Sequence, residues 1–284
     1  VPTGLSLHIG LNKVDPAAYD GWDGTLLACE NDARDMAAVG RAAGFEDTLV
    51  LTGDGTVENI TGELRAAAAR LKAGDILLFT YSGHGGQMPN TTGSDVEPDR
   101  QDETLVFFDR QFLDDELYRE FRRFEEGVRI VALLDCCHSG SAIESVHELL
   151  TPEAMRSHFQ TSDPDGLEAA SRMMPLFRQQ QAFEQHRDLY EGLQRELREG
   201  NGGGPTPGAV LIAACQDNQV ASDGDVNGLF TAQLLKVWKE GAFRGDYRTF
   251  HRNIQQRMPA IQSPNFYTTG NPSEEFLRQK PFTV

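Results

Sequence analysis

The sequence predicts an α/β domain: a mostly parallel sheet with helices on both faces. Three observations carry this. Short apolar runs alternate with amphipathic helical stretches along most of the 284 residues. The residues with reactive side chains follow the carboxyl ends of two of those runs, where parallel sheets place their ligands. The composition, 39% hydrophobic and 24% charged, is that of a globular chain long enough for one large domain or two small ones.

In order, "LSLHIGLN" (5–12) alternates as a strand and "NDARDMAAVGRAAG" (31–44) is an amphipathic helix ended by glycine. "DTLVLTG" is a strand and "TVENITGELRAAAARLKAG" (56–74) a helix. "DILLFTYSG" (75–83), a polar loop, "ETLVFFD" (103–109) and the helix "LDDELYREFRRF" (113–124) follow, then "VRIVALLDCC" (128–137), the most apolar strand. Residues 145–200 break the rhythm. They are polar, rich in Glu, Gln and Arg, and end in the flexible "GNGGGPTPG", so they read as a helical insertion, a flap. "AVLIAACQ" (209–216) resumes the sheet, helices follow at 228–240 and 246–258, and "SPNFYTTG" (263–270) is the last strand. The expected organisation is a single domain over 1–284, with parts at 1–144, 145–205 and 206–284.

A formal net charge of −17 repels nucleic acid and anionic membranes and attracts cations and basic peptides. No apolar run approaches the roughly 20 residues that span a bilayer. Four cysteines (Cys29, Cys136, Cys137, Cys215) are too few for a disulfide framework, and two are adjacent, so a reducing, cytoplasmic setting and a monomer are expected.

The chemistry is concentrated in "YSGHGG" (81–86) and "LLDCCHSGS" (133–141). Residues two apart in a strand share a face, so Ser82 pairs with His84 and Asp135 with Cys137. That parity selects Cys137 as the exposed thiol and turns Cys136 toward the covering helices. A cysteine nucleophile needs a base and amide donors for the developing oxyanion. His84 supplies the base if the two strands are neighbours. Gly85, lacking a side chain, lets its N–H approach a carbonyl, and the Cys137 N–H is a second donor. The plain alternative makes His84 a loop histidine and Cys137 a buried thiol.

Together these motifs resemble those of the metacaspases and their prokaryotic relatives, the orthocaspases. "LLACENDARDM", "LDDEL", "AACQDNQVASDG", "FTAQLL" and "PNFYTTG" extend the resemblance over most of the chain. It implies a caspase-like fold, six-stranded and mostly parallel, and a cysteine endopeptidase with a His84–Cys137 dyad. It also implies cleavage after Arg or Lys, because metacaspases bind that side chain with acids. The expected pocket is Cys29 and Asp32 of "CEND", with Ser82 and Asp135. Asp32 equally suits the first turn of a helix. Cys136, where relatives often carry a small residue, and the long insertion depart from the family pattern.

Resemblance to calcium-activated metacaspases aligns Asp102, Asp114, Asp115 and Glu144 with calcium ligands, calcium being an activator and not a catalyst. Asp114 and Asp115 also suit a helix start. "DGDVNG" (223–228) begins like an EF-hand loop, but Leu234 stands where the bidentate Glu belongs, so a turn with Asn227 capping the next helix is the simpler reading. Self-cleavage in the insertion has candidates in Arg156, Arg172, Arg178, Arg187, Arg195 and Arg198. The rivals are an aspartate-specific protease on the same dyad and a catalytically silent scaffold. A serine hydrolase using Ser82 or Ser139 lacks its G-x-S-x-G elbow, and zinc lacks its motifs.

Overall fold

The computed structural model describes residues 2–92, 101–137, 171–200, 206–215, 219 and 221–284. Glu144, Arg156, Ser139 and most of the acidic loop before Asp102 lie outside them.

Six strands form the main sheet: β1 (Gly4–Gly10), β2 (Glu46–Leu51), β3 (Ile76–Ser82), β7 (Arg129–Asp135), β8 (Gly208–Ala213) and β9 (Asn265–Thr269), in the order β2-β1-β3-β7-β8-β9. All neighbours are parallel except β8 and β9. A second, antiparallel sheet is made of β4 (Gly85–Pro89), β5 (Gln101–Val106) and β6 (Gln111–Leu113). β4 and β6 are not expected from the sequence, and β5 joins this separate sheet and not the main one. β4 and β6 are short, and β4 has glycines at its start, so neither carries an apolar periodicity.

Alternation along the main strands divides the core in two. Leu5, Leu7 and Ile9 of β1, with Leu77, Phe79 and Tyr81 of β3, face α2 (Val57–Arg70) and α3 (Asp114–Phe121). Ile76, Leu78, Val131 and Leu133 face the other way, toward α1 (Cys29–Ala42), α6 (Leu229–Trp238) and α7 (Tyr247–Gln255). Burial on both faces is what the near-continuous apolar sequence of β3 and β7 requires. The second helix is shorter than expected: Leu71 turns extended and buries its side chain, leaving 72–75 as a turn.

The described part of the insertion is α4 (Leu176–Gln185) and α5 (Arg187–Gly200). These helices are docked on the second sheet and not held away from the body. Phe183, Tyr190 and Leu197 pack with Met88 and Leu113. The Tyr190 hydroxyl accepts the Gln111 amide, and Gln194 donates to Pro89 O and to Asp102. A last short helix, α8 (Glu274–Arg278), closes the chain.

Candidate active site

β3 and β7 lie side by side with Ser82 opposite Asp135, so the segments that leave their carboxyl ends start together. From β3 the chain passes through Gly83 to His84 and into β4; from β7 it reaches Cys136 and Cys137. Parity holds: Cys136 belongs to the core on the α2–α3 side and Cys137 to the opposite one.

Cys137 is fully buried, which corrects the expectation of an exposed thiol. The cause is the chain itself. Ser171–Met174 threads between the two motifs, with Met173 bridged to Gly85 and Ser171 to Ser222. The carbonyl oxygen of Arg172 accepts from the Gly85 amide at 3.0 Å and from the Cys137 amide at 3.1 Å. These are the two donors expected to face an oxyanion. A side chain at 85 is impossible here, because its Cβ would fall 1.7 Å from the Cys137 carbonyl oxygen.

The Arg172 side chain runs inward and is completely buried. Its Nη2 lies 2.7 Å from Asp32 Oδ2 and 2.9 Å from Asp223 Oδ1; Nη1 lies 2.9 Å from Asp135 Oδ2 and 2.8 Å from the Ser82 hydroxyl. Nε donates to Asp223 and Nη1 also to Asp135 O. Three carboxylates around one guanidinium leave excess negative charge in a dry place, costly unless other donors share it. They do. Asp32 accepts from Gly228 N and Asn227 Nδ2, Asp135 from Thr231 N and Oγ1, and Asp223 from Leu27 N and Ala28 N.

Burial pushes Asp32 up to about 6 against the opposing pull of Arg172, and repulsion from Asp135 adds to the rise. Burial works against the Arg172 charge, yet Asp135, with Cys29, Asp32 and Asp223, holds its pKa well above the ordinary value. Cys29 is buried beside this cluster, and desolvation raises its thiol pKa despite Arg172.

His84 Nε2 lies 3.0 Å from Gly24 O, and its ring is 4.9 Å from that of Trp22. That contact orients the imidazole and leaves Nδ1 with no hydrogen-bond partner among the described residues. Desolvation lowers His84 to about 4, while the Gly24 backbone, Asp223 and the Met173 backbone favour the charged form. The Cys137 sulfur accepts the Ala221 amide.

The model of the family described as "Caspase domain" matches residues 7–276. The chain belongs to the caspase domain family. Among curated proteins, this caspase-domain chain is 36% identical over 153 residues to "Metacaspase-1" of Mycosarcoma maydis and 36% identical over 154 residues to "Metacaspase-1A" of Aspergillus fumigatus. Each match covers 49% of this chain but only 36% and 35% of those proteins, little more than a third of their length. Among solved structures, a protein from Geobacter sulfurreducens superposes with a TM-score of 0.85 at 40% identity, covering 100% of this chain and 99% of that one. "Caspase-1 from Spodoptera frugiperda" superposes with a TM-score of 0.57 at 11% identity, over 95% and 86% of the two chains, which shows the caspase fold.

Two residues of the cluster escaped the sequence reading. Asp223 opens the "DGDVNG" stretch expected to be a turn, and it also lies within "AACQDNQVASDG", a segment of the family resemblance, which is the available signal. Arg172 was one of six candidate arginines with nothing in its neighbours to single it out. Asn227 does not cap α6, whose N-cap is Gly228; it donates to Asp32 and Asp35 instead. Of the expected calcium set, Glu144 lies outside the described residues. Asp102 accepts from Asn90 and Gln194, Asp114 accepts the Asp115 amide at the start of α3, and among the described residues no three His, Cys, Asp or Glu could hold a metal.

Proposed function

We propose that the protein is a cysteine endopeptidase that cuts after arginine, and that the Arg172–Met173 bond is its built-in first substrate. The observation that supports this most is the position of Arg172, with its carbonyl on the Gly85 and Cys137 amides and its guanidinium among Asp32, Asp135 and Asp223.

In this reading Cys137 Sγ gives its proton to His84 and attacks the carbonyl carbon of the residue in the pocket. The two amides hold the oxyanion. His84 then protonates the departing amine, and water releases the acyl group with His84 as base. Gly24 fixes the ring so that Nδ1 is the atom that moves the proton. The Cys137 sulfhydryl must turn from Ala221 to react. Caspases that prefer aspartate surround it with cations, whereas this pocket offers only anions and neutral acceptors. Every N–H of a guanidinium finds an acceptor here, so arginine is favoured over lysine. Basic peptides are the expected external substrates, drawn by the acidic surface.

Calcium stimulation belongs to the same proposal through the family resemblance. Asp102, which accepts from Asn90 and Gln194, would join such a site with those donors as its supporting hydrogen bonds. No step of the mechanism is routed through a metal.

Fluorogenic peptides ending in Arg, Lys or Asp, offered to wild type and to Cys137→Ala, test the reading. Cys137-dependent release from the arginyl peptide is expected. Preference for the aspartyl peptide, or turnover that persists in Cys137→Ala, overturns it.

A further inference from the structure

A protease cuts irreversibly when the leaving amine departs and water takes its place. Neither happens readily at Arg172–Met173. On the amine side Met173 and Met174 are buried, the Met174 amide donates to Gly85 O at 2.8 Å, and Gln179 Nε2 donates to Met174 O at 2.6 Å. Gln179 also accepts the Gln87 amide, tying α4 to β4. The Met174 side chain packs with Val14, Tyr19, Val106 and Ala182. Further along, Gln194 fastens α5 to Pro89, Thr91 and Asp102. On the acyl side Arg172 is held by three carboxylates and by its amide on Ala221 O. Both sides are therefore anchored by contacts that do not pass through the Arg172–Met173 bond.

Resting on the reading of the cleft given above, we infer that this bond is cut and resealed. The protein would be an intramolecular peptide ligase as well as a peptidase, with the 173–200 segment acting as an internal reversible inhibitor. On cutting, the Cys137 Sγ–Arg172 C bond forms, the Arg172 C–Met173 N bond breaks, and the thiol proton passes through His84 to the Met173 nitrogen. On resealing, the Met173 amine attacks the thioester, its proton returns through His84 to the sulfur, and the thiol and amide are regenerated. No oxidant, nucleotide or other co-reactant is needed. Water competes and gives the Arg172 carboxylate. Rebuilding the thioester from that carboxylate expels one oxygen as water, so the whole cycle is reversible.

The anchored amine has the advantage over water. A nucleophile held in place acts at an effective concentration that reaches about 10⁵ M or more. Water must enter a site where Cys137, Arg172 and Met174 are completely buried. Net cleavage then waits for α4 and α5 to leave the second sheet.

The test follows oxygen-18 in the full chain. Wild type and Cys137→Ala are incubated in H₂¹⁸O, and the uncut chain is digested to a peptide spanning Arg172–Met173. Label in the Arg172 carbonyl of that uncut peptide requires cutting, hydrolysis and resealing in sequence. We expect it in wild type and not in Cys137→Ala. Gln179→Ala and Gln194→Ala, which loosen the amine side, are expected to raise the ratio of cut to uncut chain at least severalfold. Cut chain that accumulates with no label in the uncut chain still present overturns resealing. So does the absence of cut, label and any Arg172 hydroxamate trapped by added hydroxylamine, in a protein that still cleaves arginyl peptides; both outcomes leave the peptidase reading standing. Absence of cut, label and arginyl-peptide cleavage overturns both.

Discussion

A carbonyl oxygen on two backbone amides and a guanidinium among three acids make Arg172 the residue on which the account turns. The pocket's selectivity follows from its acceptors. Lysine has three donors at one point where arginine has five in a fork, so buried carboxylates lose hydrogen bonds when lysine enters. Each lost bond costs about 1–3 kcal/mol, so arginyl peptides are expected to exceed lysyl peptides in kcat/KM by roughly tenfold or more. Equal rates would count against the pocket. Gly228 offers a second probe, because a Cβ there would lie 2.4 Å from the Arg172 guanidinium carbon. A forced fit of this kind costs about 1–3 kcal/mol. Gly228→Ala should therefore lower kcat/KM on arginyl peptides about 10- to 100-fold, mainly through KM, while thiol labelling of Cys137 persists. Unchanged kinetics would show that arginine binds elsewhere.

Among the elements, the Ser171–Met174 segment with α4 and α5 is a plug whose removal has separable effects. Arg172→Ala leaves Asp32, Asp135 and Asp223 buried without their cation, a loss of about 3–5 kcal/mol for a broken buried pair. The melting temperature should fall, and millimolar agmatine, a guanidinium ligand with no cleavable carbonyl, should restore part of it by binding the native state. The same variant should hydrolyse external arginyl peptides faster than wild type, since its pocket is open. A lower melting temperature with no response to agmatine would mean the cluster is structural only. The main strands and helices, and the parity of Cys136 and Cys137, were legible in the sequence, because apolar runs and strand alternation are local signals; that the His and Cys strands are neighbours comes from the fold. The short glycine-bearing strand β4 was not, nor was Asp223, whose role depends on chain segments nearly two hundred residues apart meeting at Leu27. Arg172 was invisible for a stronger reason. No local property separates a buried arginine from the surface arginines around it.

At the scale of the whole molecule, stability should depend on pH through buried imidazoles. His8 is lowered to about 3 and His84 to about 4, with burial the larger cause in each, against an ordinary value of 6.5. Both stay neutral when folded and take up a proton on unfolding, so their contribution is complete above pH 6.5 and is lost as pH falls toward 4. Asp32, raised from 3.8 to about 6, acts in the opposite sense over that window. Two histidines against one aspartate leave a net loss on acidification. The urea midpoint should be lower at pH 5 than at pH 7.5, and an equal or higher midpoint would contradict the burial of these rings. Among the described residues no helix is long and apolar enough to cross a membrane. The most direct measurement is to incubate the intact chain with hydroxylamine, which intercepts a thioester, and to map the ends of the fragments by mass spectrometry. The account predicts one fragment ending in an Arg172 hydroxamate and another beginning at Met173, both absent from Cys137→Ala. Cuts confined to other arginines, or the same fragments from Cys137→Ala, would contradict it.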